Sequence, residues 1–293
     1  MTTIADVCLD AGHYGKYNQS PADKSYYESE KMWELHLLQK QYLEAGGLTV
    51  ITTRADQKKD LDLKSRGLAA KGCKVFISNH TNSTAAGTIN AAIDFVTVYC
   101  QYDDSTTEID ELSRELANML APEIAELMDV NQGFVVTSRK SSNDRNGDGY
   151  MNDNYHGVLN GARIAEVIGV IIEHSFHTNP RTVAWLKDEK NLQALAKLEA
   201  RIVINFIKSK FGVEVEESTA PTYYRVQAGA YNEPRYAEAK KRQLIADGFS
   251  AIVKWVDSHY KVQVGAYEVK ANAEKCVAKL KAKGYDAFIT TGK

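Results

Sequence analysis

Short apolar runs alternate along this chain with longer segments of helical period. From the start, ADVCLDAGH reads as a strand, ESEKMWELHLLQKQYLEAGG as a helix ending near Ala45, LTVITTR as a strand, and the segment through Arg66 as a second helix. KVFISNH, DFVTVYC and VIGVIIEH read as further strands, with one long helix ending near Met128 and a last one from about Lys190 to Lys210. Such alternation predicts an α/β layer structure with a mostly parallel central sheet and flanking helices. Gly46-Gly47 predicts the left-handed cap that returns the first helix to a strand.

After Phe211 the period is lost. GVEVEESTAPT is acidic and carries Ser, Thr and Pro, which reads as a linker over residues 213–222 between a first domain, 1–212, and a second, 223–293. Within the second, YRVQAGAY from Tyr224 recurs as YKVQVGAY from Tyr260, an offset of 36 residues. A helical segment and a second strand follow each copy. Two βαβ units joined in this way predict a small α+β, ferredoxin-like domain with four strands backed by two helices. The Tyr and Gln side chains of the repeated strand are expected to share a sheet face.

The chemistry is concentrated where strands end: VCLDAGH closes on His13, VFISNH on His80, and VIGVIIEH on Glu173-His174. Along a parallel sheet the carboxyl ends line one edge, so residues distant in sequence converge there. Imidazole nitrogen and carboxylate oxygen suit zinc, and a catalytic zinc takes three protein ligands and leaves a fourth position for water. The third ligand is sought in the first helix, at Glu28 or Glu30. At about 100° per residue, Glu28 shares a face with Met32, Leu35, Tyr42 and Leu43 while Glu30 turns away, which favours Glu28. Glu173 closes the most continuously apolar run; partial desolvation there would raise its pKa toward that of a general base.

Adjacent residues of a strand point to opposite faces, so His174 is read as structural beside Glu173, and His177 as a substrate contact only. His36, within a helix, and His156, in a loop-rich stretch, lack strand-end placement. Asp144, Asn146, Asp148 and Gly149 resemble the start of a calcium loop, but the twelfth position is Tyr155, so a flexible polar surface loop is expected.

Length and charge narrow the partners. A chain of 293 residues fits two domains, and with 44% apolar residues, 25% charged residues and a net charge of -2 it gives no electrostatic case for nucleic acid or an anionic membrane. No run approaches the length of about 20 apolar residues that spans a bilayer. The opening residues lack a basic segment followed by an apolar core, so synthesis in the cytoplasm without a signal peptide is expected. The four cysteines, Cys8, Cys73, Cys100 and Cys276, are scattered and read as free thiols.

These residues together resemble a known family. Residues 4 to 211 are similar to the zinc-dependent N-acetylmuramoyl-L-alanine amidases of bacterial cell-wall lysis and phage endolysins. The resemblance rests on Asp10-Ala-Gly-His13, the segment from Leu43 to Arg54, Arg66, Ser78-Asn-His-Thr-Asn82, and Glu173-His-Ser-Phe-His-Thr-Asn-Pro180. It implies one zinc ion held by His13, Glu28 and His80, with Glu173 as catalytic glutamate. The reaction implied is hydrolysis of the bond between muramic acid and L-alanine by zinc-activated water. Two departures stand out: the acidic-Lys pair that follows the ligand glutamate comes two residues late, as Glu30-Lys31, and Ser175 replaces the family's usual Gly.

The repeated VQAGAY and VQVGAY resemble the sporulation-related repeat (SPOR) domain, which implies binding to peptidoglycan glycan strands. The pairing is similar to cell-wall amidases of sporulating Gram-positive bacteria, and implies action on the wall after release or lysis of the cell. A zinc peptidase cutting another amide bond, and a non-catalytic wall-binding protein, are the alternatives that the residues leave open.

Overall fold

The computed structural model describes residues 4–102, 107–213, 223–256, 259–267 and 270–292. Apart from Val213, the expected linker lies outside the described residues. The chain divides into two compact units, Met1–Glu216 and Glu217–Lys293.

In the first unit the elements run β1 (Val7–Ala11), α1 (Glu28–Ala45), β2 (Val50–Thr52), α2 (Leu63–Leu68), β3 (Val75–Asn82) and β4 (Val96–Cys100). There follow α3 (Glu108–Leu127), β5 (Phe134–Thr137), α4 (Gly157–Ile164), β6 (Ile168–Phe176), α5 (Pro180–Lys187) and α6 (Glu189–Phe211). The sheet order is β2-β1-β3-β6-β4-β5. β2, β1, β3 and β6 are parallel, whereas β4 runs antiparallel to β6 and carries β5 parallel to itself. The carboxyl ends of β1, β3 and β6 therefore share an edge, and those of β4 and β5 lie at the other. An apolar run has no direction, so DFVTVYC alone does not reveal this reversal.

Strand alternation sorts the core into two layers. Val7, Leu9, Val75, Ile77, Val170 and Ile172 face one way, toward α1, α3 and α6. Cys8, Phe76 and Ile171 face the other, where Val158, Leu159 and Ala162 of α4 cover them. Full burial of such a side chain contributes roughly 1.5–3 kcal/mol, so the layers position the strand ends firmly. α1 is unusual, because its buried face mixes Met32, Leu35 and Leu43 with Glu28, His36 and Gln39. At the turn after α1 only Gly47 is left-handed, at φ 85°; Gly46 has φ -82°. α4 and α5, each 8 residues long, and the 4-residue β5 are too short for their period to stand out.

The second unit contains β7 (Tyr223–Tyr231), α7 (Pro234–Ala246), β8 (Ile252–Val256), β9 (His259–Tyr267), α8 (Lys270–Ala282) and β10 (Phe288–Gly292). Its antiparallel sheet has the order β10-β7-β9-β8, the ferredoxin-like arrangement expected of two βαβ units. The repeat places its copies side by side about a pseudo-twofold, with Tyr224 opposite Tyr267, Gln227 opposite Gln263 and Tyr231 opposite Tyr260. Val226, Ala228, Val262 and Val264 pack on Ala237, Leu244, Ala273 and Leu280, and all four tyrosines pack against this same core. Gln227 and Gln263 alternate with those apolar residues and face the other way. The expected shared face of Tyr and Gln is thus not formed; burying a phenol ring against the helices outweighs leaving it in water.

The four cysteines are free. Among the described residues no helix is long and apolar enough to cross a membrane.

Candidate metal centre

His13 follows β1 in a left-handed conformation, φ 57°, and its ring centroid lies 5.1 Å from that of His80. Gly12 before it must lack a side chain: a Cβ there would lie 2.4 Å from the His80 ring and 2.6 Å from the Asn79 carbonyl. His80 comes from the end of β3, and Glu28 from the first residue of α1, 1% exposed. One donor atom from each of His13, Glu28 and His80 lies within 4.8 Å of the others. His13 Nε2 is 3.5 Å from Glu28 Oε2, and His80 Nδ1 is 3.0 Å from Glu28 Oε1. Ligands at about 2.0–2.1 Å from a tetrahedral zinc stand about 3.3 Å apart, so both the spacing and the donor set fit that ion. Glu30, half-exposed on the same turn, is outside the cluster.

Glu173 stands directly opposite His80 in the β3–β6 pair and opposite Thr97 of β4, so all three project from the same sheet face. Its Oε2 is shielded from solvent and has no hydrogen-bond partner. Burial, with the Glu28 charge adding, pushes the Glu173 carboxyl up to about 7, although His80 and His174 pull the other way. Burial would raise Glu28 as well, but the hydrogen bond and charge of His80, with the charges of His13 and His177, outweigh it and hold Glu28 at about 2. Conversely, burial would lower His80, and Glu28 outweighs it to bring the imidazole up to about 9. His13 falls to about 4, chiefly through burial. One carboxylate is held ionised among imidazoles while its neighbour takes up a proton near neutrality.

The remaining histidines fall as strand geometry dictates. His174 is fully buried on the opposite face from Glu173. His177, 4% exposed, has Nδ1 at 3.1 Å from Thr81 Oγ1 and 3.7 Å from Glu28 Oε2, nearer the cluster than a substrate contact alone suggests. His36 Nδ1 bonds the Trp33 carbonyl, and His156 precedes α4 and packs at a tilt of 51° against Tyr99, with ring centroids 4.5 Å apart.

Several supporting residues escaped the sequence reading. Asn18 Nδ2 donates to Glu28 Oε2 at 2.6 Å and lies 3.1 Å from His13 Nε2, and Tyr17 stacks on the His13 ring at 4.7 Å. An Asn seven residues beyond the end of a strand leaves no periodic signal. The Thr81 N–H donates to Glu28 Oε1 at 3.0 Å. Beneath the site, Arg66 pairs with fully buried Asp10 at 3.2 Å and donates to the carbonyls of Ala11 and His13, both at 3.0 Å. Ser175 takes φ 58°, the conformation for which a Gly is suited, and its hydroxyl donates to Asp94 at 2.7 Å. In the loop before α4, Asp144, Asp148 and Asp153 bring carboxylate oxygens within 4.8 Å of one another; Asp153 comes from the tenth loop position instead of the twelfth.

Two imidazoles and a carboxylate at one edge of a mostly parallel sheet, beside a second carboxylate with one oxygen shielded from solvent, are the equipment of metal-assisted hydrolysis on an α/β scaffold. The family follows from comparison with known proteins: residues 7–205 match the N-acetylmuramoyl-L-alanine amidase model, and the chain belongs to that family. Residues 220–291 match the SPOR domain.

Among solved structures, an N-acetylmuramoyl-L-alanine amidase from Clostridium difficile 630 is 21% identical, covering 71% of this chain and 100% of its own, with TM-score 0.56. The catalytic domain of CwlV, an N-acetylmuramoyl-L-alanine amidase from Bacillus (Paenibacillus) polymyxa var. colistinus, is also 21% identical, over 73% of this chain and 100% of that one, with TM-score 0.52. Cwp6 from Clostridium difficile is 18% identical over 69% of this chain and only 29% of its own, with TM-score 0.56. At these identities the likeness is one of fold. No curated protein matches the chain.

Proposed function

We propose that the chain hydrolyses the amide bond between N-acetylmuramic acid and L-alanine in peptidoglycan, with His13, Glu28 and His80 holding one zinc ion and Glu173 as general base. The observation that carries this is Glu173, placed opposite His80 in the strand pair with its Oε2 shielded from solvent and without a hydrogen-bond partner. When bound, zinc would polarise the scissile carbonyl and lower the pKa of water beside it. Glu173, with a pKa brought up to about 7, is suited to take a proton from the attacking water and pass it to the leaving nitrogen. Asn18 and the Thr81 N–H fix the Glu28 carboxylate, while Arg66 fixes the backbone on either side of Gly12. The peptidoglycan partner is read from the family and from the SPOR match. The second unit would hold glycan strands and raise the local concentration of the enzyme on an insoluble polymer.

The test is clearing of purified cell wall by wild type, by chelated protein and by Glu173→Ala, with folding checked by circular dichroism. Wild type is expected to release L-alanine amino groups, and the other two to lose at least 100-fold in rate, within the range that general-base or metal assistance supplies. Equal clearing by all three, or release of reducing sugar instead of amino groups, overturns the reading.

A further inference from the structure

His174 lies on the face of β6 turned away from the candidate centre, and it is built into a buried polar chain. Its Nδ1 is 2.9 Å from the His80 carbonyl, and its Nε2 is 2.7 Å from Glu199 Oε1. A carbonyl can only accept, so Nδ1 carries a proton and donates. Glu199, on α6, accepts through Oε2 from Gln39 Nε2 at 2.6 Å. Gln39, on α1, accepts in turn from Asn79 Nδ2 at 2.7 Å, and donates to Asn79 Oδ1 at 3.2 Å. His174, Glu199, Gln39 and Asn79 are each at most 2% exposed.

The chain of contacts reaches every element that supplies a group across the candidate centre except β1. Gln39 follows Glu28 by eleven residues, about three helical turns, so the two share a face of α1. Asn79 precedes His80, and His174 follows Glu173. The His80 carbonyl also lies where the β3–β6 register shifts, between His80 and Asn82, so strand pairing alone constrains it less there. Stability gives little reason for the arrangement, since well-packed apolar side chains in place of buried charged groups are often neutral or stabilising. Partners that orient a ligand, by contrast, tune its metal.

We propose that His174, backed by Glu199, is a positioning residue: by holding the His80 carbonyl it orients the His80 imidazole toward Glu28 and sets the affinity of the centre for its metal. This rests on the reading that His13, Glu28 and His80 bind zinc. Nothing in it requires His174 to touch substrate.

Asparagine and glutamine separate the two contacts of His174, because the Asn amide nitrogen reproduces Nδ1 and the Gln amide reproduces Nε2. Zinc affinity of the full chain is measured by competition with a chromogenic chelator, alongside circular dichroism and thermal unfolding of the metal-free protein. His174→Gln, which loses the bond to the His80 carbonyl, is expected to bind zinc about 10-fold more weakly, the lower end of the range for losing a partner bonded to a ligand side chain itself. His174→Asn is expected to stay within about threefold of wild type although both variants lose thermal stability. Glu199→Gln, which keeps a hydrogen-bonding amide beside His174, is expected to fall between them and carries the test if His174→Gln does not fold. Unchanged affinity in both His174→Gln and Glu199→Gln, or equal losses in the Asn and Gln variants, overturns the proposal. Wild type that binds no zinc overturns it together with the assignment of the centre, whereas wild type that binds zinc and clears wall leaves that assignment standing whatever His174 does.

Discussion

Glu173 owes its chemistry to its surroundings. The same carboxylate in an unfolded chain would ionise near 4.3, yet burial and the Glu28 charge bring it up to about 7 in the fold. A general base works ionised, so hydrolysis of a soluble muramyl peptide should fall as pH drops through an apparent pKa at or below about 7, the bound cation acting to lower it. The same shift has a consequence for stability with its own sign. A carboxyl raised in the folded state contributes stability below its unfolded pKa and loses it as pH rises through the folded value. Metal-free Glu173→Gln should therefore melt higher than metal-free wild type at pH 8 and show a smaller or no advantage at pH 4. Differential scanning calorimetry at the two pH values checks this; an advantage that does not grow with pH would place Glu173 in an ordinary carboxylate environment.

At the scale of elements, the centre depends on joints between neighbours more than on any one of them. Arg66 ties α2 to the end of β1, pairing with Asp10 inside the protein and holding the carbonyls on both sides of Gly12. Removing one partner of a buried pair strands the other charge, at a cost of about 3–5 kcal/mol. Thr53 and Ser78 hydroxyls at 2.6 and 2.7 Å still solvate Asp10, so Arg66→Met should cost about 3 kcal/mol, read from urea unfolding of the metal-free chain. A loss below about 1 kcal/mol would mean that the pair merely offsets its own desolvation. The aspartate of Asp10-Ala-Gly-His13 was legible as motif, but not its task. A strand pattern shows that position 10 is inward without showing that an arginine 56 residues away waits there.

For the molecule as a whole, division of labour between the two units can be measured. If the second unit serves to hold the first on its polymer, removal of residues 214–293 should slow clearing of insoluble wall by about 100-fold, the lower range of gains from linked binding, while hydrolysis of a soluble fragment changes little. Equal losses on both substrates would instead show that the second unit supports folding or chemistry of the first.

The sequence by itself determined the α/β alternation, the duplicated second unit and the placement of His13, His80 and Glu173 near the carboxyl ends of strands, because period and repeat are local properties of a chain. It also favoured Glu28 over Glu30, since a helical face can be read from spacing. Only the tertiary structure decided the reversed direction of β4, the packing of the tyrosines behind the second sheet, the closeness of Gly12 to His80 and the links from Asn18 and Glu199 into the centre. Periodicity reports that a face is buried; which groups bury it, and which hydrogen bonds they must then satisfy, depend on neighbours brought together only when the layers pack.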